Sequence, residues 1–142
     1  MKIGYTCGVY DLFHVGHLNL FENCKKHCDY LIVGICDDEY VRTFKGKEPV
    51  INQNDRARIV NALKCVDEVR IIDIDTTVDK IKAYNIFHFD KLFVGDDWKG
   101  TERFLYTEKQ IKEMNLDIEV VFFPYTKEIS TTLLKNKMIT NN

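Results

Sequence analysis

Apolar residues gather in five short runs along the chain: Lys2–Cys7, Tyr30–Cys36, Glu68–Ile72, Lys91–Gly95 and Ile118–Phe123. Several are unbroken stretches of Val, Ile, Leu and Phe with no polar alternation. That pattern predicts strands covered on both faces, as in a parallel sheet. The segments between them repeat apolar residues at helical spacing. Gly16–Cys28 carries Leu18, Leu20, Phe21 and Cys24, and Asp55–Lys64 carries Ala57, Ile59, Val60 and Leu63. Val78–Tyr84, Arg103–Met114 and Ser130–Met138 complete the predicted helices, and Thr140–Asn142 reads as a frayed tail. Strands alternating with helices imply right-handed crossovers, so the expected fold is α/β: a three-layer sandwich around a five-stranded, mainly parallel sheet. Such sheets bind ligands beyond the carboxyl ends of their strands. The segments to examine are therefore Gly8–His17, Asp37–Pro49, Gly95–Gly100 and Pro124–Thr132.

Composition narrows the picture. A chain of 142 residues is the size of one domain, and a single domain over residues 1–142 is expected. With 45% hydrophobic and 30% charged residues it can bury one core and stay in solution. No apolar run approaches the roughly 20 residues of a membrane helix. The first residues enter a strand-like run directly, so no signal peptide is expected. A net charge of −2 argues against broad nucleic-acid binding. The five cysteines, Cys7, Cys24, Cys28, Cys36 and Cys65, are odd in number and sit mostly in apolar runs. They read as reduced thiols of a cytoplasmic protein. Cys24 and Cys28 flank His27 but have no second ligand pair at zinc-site spacing, so they read as small apolar residues one helical turn apart, and no side-chain metal site is expected.

The first predicted strand leads into Gly8-Val9-Tyr10-Asp11-Leu12-Phe13-His14-Val15-Gly16-His17. Gly8 lets the backbone turn close to a ligand. His14 and His17, three apart at a helix start, face the same way. Two imidazole donors beside a helix N-terminus suit a polyphosphate and the charge that develops as pyrophosphate departs. An isolated His-x-x-His would read as an ordinary helix start; Gly8, Asp11 and Gly16 around this one favour the chemical reading. Near the other end, Ser130 is a good N-cap, and the amides and hydroxyls of Thr131 and Thr132 suit triphosphate oxygens. Lys45 and Lys47 around Gly46 read, on their own, as a solvated pair, and Arg56 as a surface helix arginine.

These residues resemble a known family. Gly8-x-Tyr10-Asp11-x-x-His14-x-Gly16-His17 is similar to the signature of the cytidylyltransferases, within the HxGH nucleotidyltransferase superfamily. Val66-Asp67-Glu68-Val69 resembles the family's third strand start. Gly95-Asp96-Asp97-Trp98-Lys99-Gly100 and the short chain resemble the glycerol-3-phosphate cytidylyltransferase group. Ile129-Ser130-Thr131-Thr132 matches the end of the family's second signature. The resemblance implies a Rossmann-like, homodimeric enzyme that joins CTP to a phosphorylated small alcohol, giving a CDP-alcohol and pyrophosphate by direct in-line attack. Catalysis falls to His14, His17, Lys45 and Lys47, with Mg²⁺ travelling on the triphosphate. The nucleotide is expected at Gly8, Val9, Tyr10, Asp11, Gly16, Arg56, Gly95, Asp96, Asp97, Trp98, Thr126, Ile129, Ser130 and Thr131. Two departures bear on the acceptor: Tyr125 and Glu128 stand where the second signature usually has Arg and Gly, and Lys64 stands where an Arg is common. Lys64, Arg103 and Tyr125 are the acceptor candidates. An adenylyltransferase using ATP on a phosphorylated small molecule is the alternative, as is a weakly catalytic nucleotide-binding protein.

Overall fold

The structure is a computed structural model and describes residues 1–124. The expected helix over Ser130–Met138, and the expected site residues Tyr125, Thr126, Glu128, Ile129, Ser130, Thr131 and Thr132, lie outside the described residues.

Five strands form one sheet: β1 (Ile3–Gly8), β2 (Tyr30–Cys36), β3 (Glu68–Ile72), β4 (Lys91–Gly95) and β5 (Glu119–Phe123). Their spatial order is β3-β2-β1-β4-β5, and every pairing is parallel. The sheet is thus wholly parallel, where a mainly parallel one was expected. The interior strand β2 is buried over Leu31–Cys36, which explains its unbroken apolar run.

Six helices connect the strands: α1 (Val15–Lys25), α2 (Asp38–Lys45), α3 (Gln53–Asn61), α4 (Ile74–Val78), α5 (Lys80–Phe87) and α6 (Glu102–Glu113). Side-chain oxygens set their starts. Asp37, Asn52, Asp73, Asp79 and Thr101 each accept from a backbone N–H in the first turn of the helix they precede, a contact worth about 1 kcal/mol apiece. Asp79 explains why Val78–Tyr84 is not one helix. Its backbone is extended, and its carboxylate caps Ile81 and Lys82, so α4 stops and α5 begins there.

Side chains alternate between two cores. Leu31, Val33 and Ile35 join Phe21 and Cys24 of α1 and Val60 of α3 on one face. Tyr5, Ile32 and Leu92 join Ala83 of α5 and Phe104 of α6 on the other. The three-layer Rossmann-like sandwich follows directly. Among the described residues, no helix is long and apolar enough to cross a membrane. The chain builds β1 to β3 outward in one direction, then crosses back to β4 on the other side of β1. The β1/β4 exit is therefore the topological switch point, where a crevice opens.

Candidate functional site

A cavity of about 270 Å³ occupies that crevice. Gly8, Val9 and Tyr10 from the β1 exit, Lys45 at the end of α2, and Gly95, Asp97, Trp98 and Arg103 after β4 all line it. Four strand-distant expectations thus meet in one place. Gly8 must be glycine here: a Cβ would stand 2.8 Å from the Tyr10 ring. Tyr10 and Leu12 hold left-handed backbones at φ 55° and 52°, a cost of roughly 1–2 kcal/mol each for residues with a Cβ. The loop after β1 is thus held in a strained shape by its surroundings.

Asp11 supplies part of that hold. Its Oδ2 accepts from the Val50 N–H at 2.8 Å and its Oδ1 from the Ile51 N–H at 2.9 Å, and the residue is 4% exposed. Asp11 therefore ties the 50–51 segment to the loop rather than presenting a free carboxylate to a nucleotide. Arg56 is buried, not a surface arginine, with a side-chain exposure of 0%. It donates to the carbonyls of Ile51, Val9 and Cys36 at 2.7–2.9 Å and pairs with Asp38 at 2.7 Å. The guanidinium spans the exits of β1 and β2 and positions the walls of the cavity.

His14 and His17 stand at the start of α1. Neither lines this cavity, but the His17 ring meets Tyr10, which does, edge-on at 5.5 Å. The two imidazoles stack with centroids 3.9 Å apart. His14 is the N-cap: its Nδ1 accepts from the Gly16 N–H at 3.0 Å, while the His14 N–H donates to His17 Nδ1 at 3.2 Å. An accepting Nδ1 places the proton of each neutral ring on Nε2. Both rings therefore offer an N–H outward from the helix start. The Nε2 of His14 is buried and has no acceptor among the described residues. Buried donors are rarely left unpaired, so an acceptor from outside the described residues would complete this one. The buried Gly16 donates its amide to that same cap.

Burial, and then the neighbouring His14, lower the His17 pKa to about 4; burial lowers that of His14 as well. The neutral rings are thus the folded forms. A folded pKa below the ordinary 6.5 means that the unfolded chain takes up protons first as pH falls. Stability should drop as pH falls from about 6.5 toward about 4. Thermal melts across that range should show a shallower decline for His17→Asn than for the wild type. Equal slopes would remove His17 as the cause.

The cationic residues separate. Lys45 lines the cavity, whereas Gly46 ends α2 in a left-handed turn at φ 69° and Lys47 follows it, exposed and off the wall. Asp96 opens the 3₁₀ turn Asp96–Trp98 but does not line the cavity. Arg103 lies over the Trp98 ring at 5.1 Å and donates to the Thr77 carbonyl at 3.1 Å. Lys64 is in the wrong place within one chain. It follows α3 at the strand starts, where Asp67 is bonded to Leu31, the second residue of β2. The length of β2, roughly 20 Å at ~3.3 Å per residue, separates it from the cavity. Sequence reasoning missed Lys80, which lines the cavity from the first position of α5 and donates to the same Thr77 carbonyl at 2.8 Å. The Asp79 cap before it was the available signal.

Comparison with known proteins agrees with this geometry. A family model described as cytidylyltransferase-like matches residues 5–137. A glycerol-3-phosphate cytidylyltransferase from Bacillus spizizenii is 38% identical over 97% of this chain and 98% of its own length. A bifunctional protein HldE from Hyphomonas neptunium is 37% identical, and this chain spans only 26% of that relative. Among solved structures, a lipopolysaccharide core biosynthesis protein from Thermoplasma volcanium superposes with a TM-score of 0.74 at 26% identity, over 87% of this chain and 96% of that one.

Proposed function

This chain belongs to the cytidylyltransferase-like family, and from that premise we propose that it transfers the cytidylyl group of CTP to a phosphorylated small alcohol resembling glycerol 3-phosphate. An oxygen of the acceptor phosphate attacks the α-phosphorus. The bond from that phosphorus to the β-phosphate bridging oxygen breaks, and pyrophosphate leaves as CDP-alcohol forms. The acceptor is already ionised near neutral pH, so no base must deprotonate it. What remains is positioning and charge stabilisation.

The observation that carries this reading is the Nε2 of His14, without a partner among the described residues, on a ring stacked on His17 at the helix start beside the β1 exit. Two outward Nε2–H donors are suited to the α-phosphate and the leaving group. Lys45, Lys80 and Arg103 supply positive charge from the cavity wall. Lys80 and Arg103, both bonded to the Thr77 carbonyl, form the acceptor-phosphate end. They replace the charge that Tyr125 does not provide. Lys47 joins the triphosphate side when the segment after α2 folds over it. Mg²⁺ would travel with the triphosphate and help to neutralise its charge. A homodimer, a cytoplasmic location and a single domain over 1–142 belong to the same proposal.

The test is pyrophosphate release with CTP against ATP, over a panel of phosphorylated alcohols. CTP with a glycerol 3-phosphate-like acceptor should give the highest turnover. ATP turnover alone would change the base while keeping the reaction. Nucleotide binding without turnover by any acceptor would favour a nucleotide-binding protein.

Two substitutions refine it. Lys45→Ala and Lys47→Ala should each lower kcat/KM by about 10-fold or more with little change in Tm, since exposed lysines contribute little to stability. Unchanged kinetics would return both to the solvated surface. Arg103→Ala should raise the acceptor KM by roughly 10-fold or more, as expected for a charge-assisted contact of about 1.5–3 kcal/mol, and move the CTP KM far less. Equal shifts in the two constants would place Arg103 elsewhere.

A further inference from the structure

The floor of the cavity carries an arrangement that nucleotide transfer does not use. Cys7 near the end of β1 and Cys36 at the end of β2 both line it. Cys7 pairs in register with Gly34, and Cys36 lies two residues further along, on the same face. Lys80 Nζ lies 3.1 Å from the Cys7 sulfur, and the buried Tyr5 hydroxyl, with no hydrogen-bond partner among the described residues, stands beside Gly34 together with Cys7. Thr77 Oγ1 lies 3.7 Å from the Cys36 sulfur, and the Arg56 guanidinium bonds the Cys36 carbonyl. An ammonium within hydrogen-bond reach of a thiol sulfur favours the anion. Cys7 is also partly exposed, whereas Cys36 is buried.

We propose that Cys7 is a modification site: a reactive thiolate at the acceptor end of the cavity that exchanges with low-molecular-weight disulfides to form a mixed disulfide. The Cys7 thiolate attacks one sulfur of R–S–S–R. The Cys7–S bond to that sulfur forms, the reagent's S–S bond breaks, and the electron pair leaves on R–S⁻, which takes a proton from water. Cys7 is oxidised and the reagent reduced, so Cys7–SH plus R–S–S–R gives Cys7–S–S–R plus R–SH. The bound R group occupies the space beside Lys80 and Arg103, so modification and acceptor binding exclude one another. Only this last step rests on the proposed cytidylyltransferase activity.

The other thiols differ. The Cys36 hydrogen bond, then Lys80, holds Cys7 well below the ordinary thiol range against the opposing effect of burial. The groups facing it from the packed elements are Tyr5 and Tyr10, both raised chiefly by burial, Cys36, raised by its bond to Cys7, and Lys80. Burial, the largest effect on each, raises Cys24, Cys28 and Cys65.

An aromatic disulfide, 5,5′-dithiobis(2-nitrobenzoate), added to the whole protein provides the test. One thiol should react about 10-fold faster than the rest near pH 6.5, where an ordinary thiol is only ~1% thiolate. Peptide mass spectrometry should place that adduct on Cys7, and the rate should stay nearly flat up to about pH 8. Lys80→Met should restore a rate that climbs with pH. A first adduct on Cys28 or Cys65, or a wild-type Cys7 rate that climbs with pH like a free thiol, would overturn the proposal. These readouts involve no nucleotide, so they stand or fall apart from the transferase reading. Turnover provides the second arm. Treated wild type should lose activity in step with the label and regain it with dithiothreitol, while treated Cys7→Ser keeps its own untreated rate. Loss of activity in treated Cys7→Ser would overturn the exclusion.

Discussion

Replacing His14 or His17 with Ala should lower kcat by about 10²-fold or more while the protein still folds, comparable to deleting a preorganised oxyanion donor. The expectation rests on tautomers fixed by the fold. Each Nδ1 is occupied as an acceptor, so each ring can act only through Nε2. His14 also caps α1, and Ala would remove a cap worth about 1 kcal/mol. His14→Asn separates the roles, because Asn is a strong N-cap but cannot place a donor where the imidazole Nε2 stood. Asn should restore Tm without restoring kcat. Near-wild-type turnover in the folded variants would take the pair out of the mechanism.

Arg56→Leu should cost about 3–5 kcal/mol of stability, the usual effect of breaking a buried ion pair from one side. Three carbonyls and the Asp38 carboxylate would lose their donor together. A domain of this size holds only about 5–15 kcal/mol, so the urea midpoint should fall steeply. Lys at 56 should rescue little, since one ammonium cannot reach the four acceptors that the guanidinium fork spans. A loss below about 1 kcal/mol would contradict the picture of Arg56 as the tie between strand exits.

The sheet was legible because its signal is local. The apolar runs of β2, β3 and β4 lie where the sequence pattern places them; β2, buried on both faces, shows it most clearly, while the edge strand β3 leaves Arg70 and Ile71 exposed. The helix between β3 and β4 was only half legible: one capping aspartate, Asp79, divides a helical stretch, and hydrophobic spacing does not register caps. The site divides in the same way. The His14-x-Gly16-His17 loop and the Gly95–Trp98 turn announce themselves through residue types at fixed spacing. Asp11 and Arg56 were harder, because sequence shows a charge but not what consumes it; both spend their polar atoms on backbone 20–47 residues away. Lys64 follows α3 at the strand starts, away from the cavity of its own chain, a placement that residue type alone does not reveal. Lys80 and Cys7 meet across 73 positions, and no local pattern links them.

The central claim is that the acceptor phosphate itself attacks CTP. Glycerol 3-phosphate labelled with ¹⁸O at its three terminal phosphate oxygens, incubated with CTP and the protein, tests it in one mass spectrum. Direct attack on the α-phosphorus should give CDP-glycerol that keeps all three labelled oxygens, together with unlabelled pyrophosphate in equal amount. Label appearing in pyrophosphate, or a nucleotide product formed only from ATP, would contradict it.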